Sequence, residues 1–162
     1  MLSSANILNI SSDELLKAAC CNLSESFETT PSIDVNFSDG ISGRKQINML
    51  GLSSPNILMS IENIPSIRGA LQSYGLTYIP GTWIESLQVA KGSGSVVNGY
   101  ESISGQINAE LRKPLTDDKF FLNLFANQME RLELNTHYTA NLNQKLDYGL
   151  YFHANKKDTS AD

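Results

Sequence analysis

Two runs of alternating polar and apolar residues, between positions 131 and 157, constrain this chain more than any other feature. In the first, Leu132, Leu134, Thr136, Tyr138, Ala140 and Leu142 would share one side of an extended strand, with Arg131, Glu133, Asn135, His137, Thr139 and Asn141 on the other. The second sets Leu146, Tyr148, Leu150, Phe152 and Ala154 against Lys145, Asp147, Gly149, Tyr151, His153 and Asn155, and Asn143 and Gln144 between them suit a short turn. A strand crosses a bilayer in about 9–11 residues with side chains facing lipid and lumen by turns, so both runs have the length and the code of an outer-membrane barrel. A half-exposed antiparallel sheet in a soluble protein uses the same alternation. Positions 120–128 form a third strand candidate, with aromatics on both faces and a poorer code.

At 162 residues the chain can hold one cored domain and part of a second. Its net charge of −5, with no cluster of Lys and Arg, argues against a nucleic-acid partner, which demands a basic face. No apolar run approaches the roughly 18 residues of a transmembrane helix. The start, Met1 to Asn6, has neither the basic beginning nor the apolar core of a signal peptide. If the last strands sit in an outer membrane, the export signal has been removed and the numbering begins inside a larger protein. The expectation is a chain cut at both ends.

Before the alternating region the text is that of a small α+β domain. Ser11, Ser12, Asp13 and Glu14 form a capping signal, and Leu16, Cys20, Leu23 and Phe27 follow at helical spacing, with Leu15 and Ala19 beside them. Thr29, Thr30 and Pro31 stop the helix. Short extended pieces come next at 32–37, 46–50, 57–61, 83–90 and 106–111, separated by turn residues. The boundaries expected are therefore 1–114 for the α+β domain and 115–162 for the strand-only region. Leu16, Leu23, Phe27, Ile33, Val35, Ile47, Ile57, Ile61, Ile84, Leu87, Val89 and Ile107 are the expected core of the first.

Catalysis has little to rest on. Gly92, Ser93 and Gly94 suggest a phosphate loop, but the third glycine of a dinucleotide fingerprint would fall at Val97 and no Lys-Ser/Thr pair follows. The segment from Asp34 resembles the opening of a calcium loop, yet Asp39 stands where glycine is needed and Lys45 where the bidentate glutamate belongs. His137 and His153, the only histidines, lie on the polar face of neighbouring strands without third or fourth metal ligands nearby. No histidine precedes Pro114, so a hydrolase triad has no base there. Cys20 and Cys21 are adjacent, too close for an ordinary disulfide, and read as buried small side chains. Neither catalytic residues, nor a resident metal, nor a cofactor are expected.

The run from Trp83 to Ser95 (WIESLQVAKGSGS), then Asn98 and Gly99, then Ser104, Gly105, Gln106, Ile107 and Asn108, resembles the closing motif of the plug domain in TonB-dependent outer-membrane receptors. Upstream, Leu15, the Pro31-Ser32-Ile33 turn, Ile47 to Leu52 (INMLGL) and Ile57 to Pro65 (ILMSIENIP) look like the plug's successive landmarks in order. The resemblance covers about residues 7–114, and relatives start their barrel where it ends. Cys20 to Phe27 (CCNLSESF) is similar to a branch found in Bacteroidetes-type bacteria. Where the family commonly has arginine this chain has Leu50, where it often has Asp-Gly it has Glu62 and Asn63, and where it has arginine and glutamate it has Ser86 and Gln88. The resemblance implies that those charges latch plug to barrel in relatives, so the latch here must differ or be weaker.

The resemblance implies a plug followed by the first strands of a truncated barrel: the gate and docking part of an outer-membrane transporter for scarce solutes, metal chelates such as siderophores being the family-level expectation. A TonB energy-coupling protein would pull on a segment upstream of Met1. The loops that face outward in relatives correspond to 36–46 and 66–82, and in the second Arg68, Gln72, Tyr74 and Tyr78 are the candidate substrate-binding residues. Their guanidinium, amide and phenol groups could clamp an anionic or aromatic ligand. Two other readings stay open, the plug of a SusC-like glycan importer and a soluble β-rich interaction module. Three strands cannot close a barrel, so the piece is expected to self-associate through unpaired strands or lean on the plug.

Overall fold

Leu50 with Gly51, and Glu62 with Asn63, are two-residue turns in which both residues have positive φ (52° and 79°, then 52° and 62°). This is the hairpin turn whose twist matches that of the flanking strands, and it sets the local architecture of a computed structural model that describes residues 7–18, 27, 33–37, 45–73, 79–94, 96–97, 99–113, 119–126, 131–143 and 145–157. The chain divides into two compact units, Met1–Leu111 and Arg112–Asp162.

In the first unit β1 (Ile7–Ser11), β5 (Ile57–Ile61), β6 (Ile64–Ile67), β7 (Ile84–Lys91) and β8 (Gly105–Leu111) form one mixed sheet in the order β1-β7-β8-β5-β6. A second sheet joins β2 (Asp34–Phe37), β3 (Lys45–Met49) and β4 (Leu52–Ser53) in chain order. Alternation makes β8 the spine of the large sheet. Ile107 and Ala109 point to the core, while Gln106 and Asn108 point the other way, and β8 pairs antiparallel with β7 and parallel with β5. The core gathers Ile10, Leu15, Phe27, Ile33, Ile47, Met49, Ile57, Met59, Ile67, Ile84, Leu87, Val89 and Ile107. Of the expected core residues, Val35 and Ile61 are partly buried at its margin, and the side chains of Leu16 and Leu23 lie outside the described set.

The helix α1 (Ser12–Ala18) begins as its capping signal requires, because the Ser11 amide donates to Glu14 Oε2 at 3.2 Å. Residues 19–26, which carry the rest of the expected helix and both cysteines, lie outside the described residues. Sequence reading missed β1, the two-residue β4 and β6. The last contains Pro65 and lies at the sheet edge, where a missing amide is tolerated.

Leucine is poorly suited to positive φ, since its Cβ crowds the following carbonyl. Leu50 is 62% exposed, so it recovers nothing from packing. Leu50→Asn is expected to stabilise the protein by about 1 kcal/mol, read as a rise of about 2–4 °C in Tm; an unchanged or lower Tm would show that the turn carries no such strain.

The second unit is an antiparallel sheet of β9 (Phe120–Ala126), β10 (Arg131–Asn143) and β11 (Leu146–Lys157), with β10 in the middle. The 13 residues of β10 and 12 of β11 exceed the bilayer-crossing minimum. Asn143 Oδ1 accepts from the Lys145 amide at 2.9 Å and shapes the turn between them. The fold class is thus as expected: a mixed-sheet domain with one short helix, then antiparallel strands.

Candidate functional site

The loop that joins β7 to β8 is tied down on two sides. Gly92 N donates to Ser104 O (2.8 Å) and Gly94 N to Ser102 O (3.0 Å), which extends the β7–β8 ladder past the sheet. Ile103 N, Ser104 N and Ser104 Oγ converge on the Asn56 carbonyl, just before β5, at 3.1, 3.0 and 3.0 Å. At Gly105 a Cβ would lie 2.7 Å from the Ala90 carbonyl and would also meet the Met49 sulfur, so this glycine is required by close approach.

Arg68 stands where β6 ends and a 3-10 turn, Gly69–Ser73, begins. Its Nε donates to Glu101 Oε1 at 2.7 Å and its Nη2 to Oε2 at 3.0 Å, a two-pronged pair across 33 residues of sequence. The Tyr100 ring lies 5.6 Å from the guanidinium carbon and is 78% exposed. The hydrogen bond from Arg68 holds the Glu101 carboxyl below the usual carboxylate range, and the same bond raises the Arg68 pKa.

Of the four candidate substrate-binding residues, Arg68 is half-exposed beside the β7–β8 loop, and Gln72 is buried with Nε2 donating to the Ile57 carbonyl at 3.1 Å. Tyr74 and Tyr78 lie outside the described residues. Sequence reasoning missed Glu101 and Tyr100. Nothing local marks them, because a glutamate in a glycine- and serine-rich turn reads as solvated. The 36–46 loop is described only at its two ends.

The polar face of the large sheet holds a cavity of about 60 Å³ lined by Ser60, Asn63, Gln88, Gln106 and Asn108. Small-molecule pockets usually span about 300–1,000 Å³, so this one suits water and not a chelate. Among the described residues no group of three His, Cys, Asp or Glu side chains could hold a metal ion.

On β10 the polar residues are the buried ones. Glu133, Asn135, His137 and Thr139 are at most 3% exposed, while Leu132, Tyr138, Leu150 and Phe152 on the apolar face of β10 and β11 range from 46% to 65%. His153 Nδ1 lies 2.6 Å from Asn135 Oδ1 and its Nε2 lies 2.9 Å from Asn155 Nδ2, so both ring nitrogens are engaged. His137 stacks on Phe121 with centroids 5.0 Å apart. Asn135 is therefore buried and hydrogen-bonded to His153.

A family model described as "TonB-dependent Receptor Plug Domain" matches residues 2–106. The chain belongs to the TonB-dependent receptor plug family. That is a receptor family of the bacterial outer membrane rather than an enzyme family. Solved structures similar to this plug include the ferric-catecholate import receptor Fiu of E. coli K12, with 17% identity, a TM-score of 0.76, and 96% of this chain matched to 22% of that one. P. aeruginosa FpvA bound to heterologous pyoverdines matches with 21% identity and a TM-score of 0.73, over 87% of this chain and 18% of that one. The siderophore receptor PirA of Pseudomonas aeruginosa gives 20% identity and a TM-score of 0.66, over 94% and 28%. The chain spans about a fifth to a quarter of the length of these relatives. In this plug Glu62 Oε1 accepts from the Leu111 amide at 2.8 Å, and Gln88 Nε2 donates to Glu110 at 3.3 Å, so two of the departures serve internal bonds.

Proposed function

We propose that this chain is the plug, residues 1–114, with the opening barrel strands, residues 115–162, of an outer-membrane transporter that imports metal chelates of the siderophore type. The observation that carries the barrel assignment is the inverted sheet after the plug, apolar side chains outward and Glu133, Asn135, His137 and Thr139 buried. A soluble sheet would bury the opposite set. The choice of solute draws on the siderophore receptors among similar structures, which favour metal chelates over the glycans of a SusC-like importer. Energy would come from a TonB protein acting on a segment before the plug.

Within the plug, Arg68, Tyr74 and Tyr78 contact the solute, joined by Tyr100, and Gln72 holds the segment in place through the Ile57 carbonyl. Glu101 compensates the charge of Arg68, so the surface favours flat aromatic groups over compact anions. In the whole receptor, Arg68→Ala and Tyr74→Ala are each expected to weaken binding of a ferric catecholate by about 1–3 kcal/mol, while outer-membrane insertion is unchanged. Titration with that chelate is the test. Full affinity in both variants would remove Arg68 and Tyr74 from the solute contacts.

A further inference from the structure

We propose that Arg68 and Glu101 form a strut that makes the Gly69–Ser73 turn and the 92–104 loop move as one body, with Glu101 the positioning residue that decides where Arg68 and Tyr100 stand. The strut is a feature of the plug alone and holds whatever the solute.

Exposure separates the two partners. The Glu101 side chain is 7% exposed and that of Arg68 45%, so the carboxylate is the fixed socket and the guanidinium the arm that reaches it. A buried carboxylate cannot exchange its partner for water, and losing Arg68 would leave its charge uncompensated. Opening one segment without the other therefore carries that penalty, and opening both together keeps the pair intact.

The socket is built for this contact. Gly99 has φ of +152°, and a Cβ there would stand 2.6 Å from Glu101 Oε2 and 3.0 Å from Leu58 Cδ1, with Arg68 Nη2 at 3.6 Å. Glycine at this position lets the backbone pass under the carboxylate. The loop behind Glu101 is anchored at Asn56, and the turn behind Arg68 is anchored by Gln72 at Ile57, so both arms of the strut root at the start of β5. Two loops with adjoining roots and one bidentate bridge make a closed triangle, which is stiff where either loop alone is not.

Amide hydrogen exchange on the full chain, followed by mass spectrometry, tests the coupling without any solute, so its outcome is independent of the transport reading. Three variants attack the bridge from different sides: Glu101→Gln removes the charge, Arg68→Lys the two-pronged geometry, and Gly99→Ala the space under the carboxylate. Each is expected to speed exchange tenfold or more at Leu71 in one segment and at Gly94 and Ile103 in the other, and to leave Ile107 inside β8 unchanged. Val96→Ser, at a residue 82% exposed on the same loop, should match the parent. Acceleration confined to one segment, or none in Arg68→Lys and Gly99→Ala, would overturn the strut.

Discussion

Ile107→Ala is expected to cost about 2–5 kcal/mol of folding stability, enough to unfold much of a marginally stable domain. Ile107 has no exposed surface and lies in the middle strand of five, opposite Val89 on one side and Met59 on the other, both buried as well. Neighbours pinned in two ladders cannot close over the missing atoms, so the cavity persists and adds to the lost burial. Denaturant unfolding of the full chain measures the loss. On the opposite face Gln106→Ala should cost far less, about 0.5 kcal/mol, because that side chain is polar, only partly buried and lines a water-sized cavity. Equal losses at 106 and 107 would mean that the sheet has no core face.

Leu150→Arg is expected to cost about 2–4 kcal/mol in the membrane-inserted receptor if the site lies near the bilayer midplane. Leu150 is 65% exposed on the apolar face, and Phe152 beside it is 53% exposed. On the buried face the effect has another origin: Asn135→Ala would remove the 2.6 Å partner of His153 Nδ1 and cost about 0.5–1.5 kcal/mol, in membrane or detergent alike. Folding yields into vesicles and into detergent micelles separate the two. A Leu150→Arg variant that inserts as well as the parent would contradict a lipid-facing sheet, as would equal losses of both variants in detergent.

The longer strands of both units were legible in the sequence because their signals are local. β5 is a short apolar run and β8 carries apolar residues at period two, each between turn residues, and β10 and β11 repeat that period long enough to announce their length. β1 and β6 were not legible, since four or five residues such as Ile64 to Ile67 with an internal proline gain their extended form only from the strand beside them. Glu62 and Asn63 show the same limit: neither residue type demands positive φ, and the turn exists because Ile61 and Ile64 pair across it.

The candidate site divides in the same way. Arg68 was visible as a cation in a glycine-containing loop, and its partner was not, because the contact with Glu101 spans 33 residues and no period links the two. Sequence alone determined where the longer strands run and which side of each is apolar. Each of these follows from the chemistry of a residue and its immediate neighbours. Only the tertiary structure decided that Gln72 faces inward, that a buried Asn135 meets His153, and that Glu101 sets the charge of the Arg68 surface. Those outcomes depend on which distant backbone closes over a side chain and takes its water away, and desolvation of that kind is a property of the packed molecule.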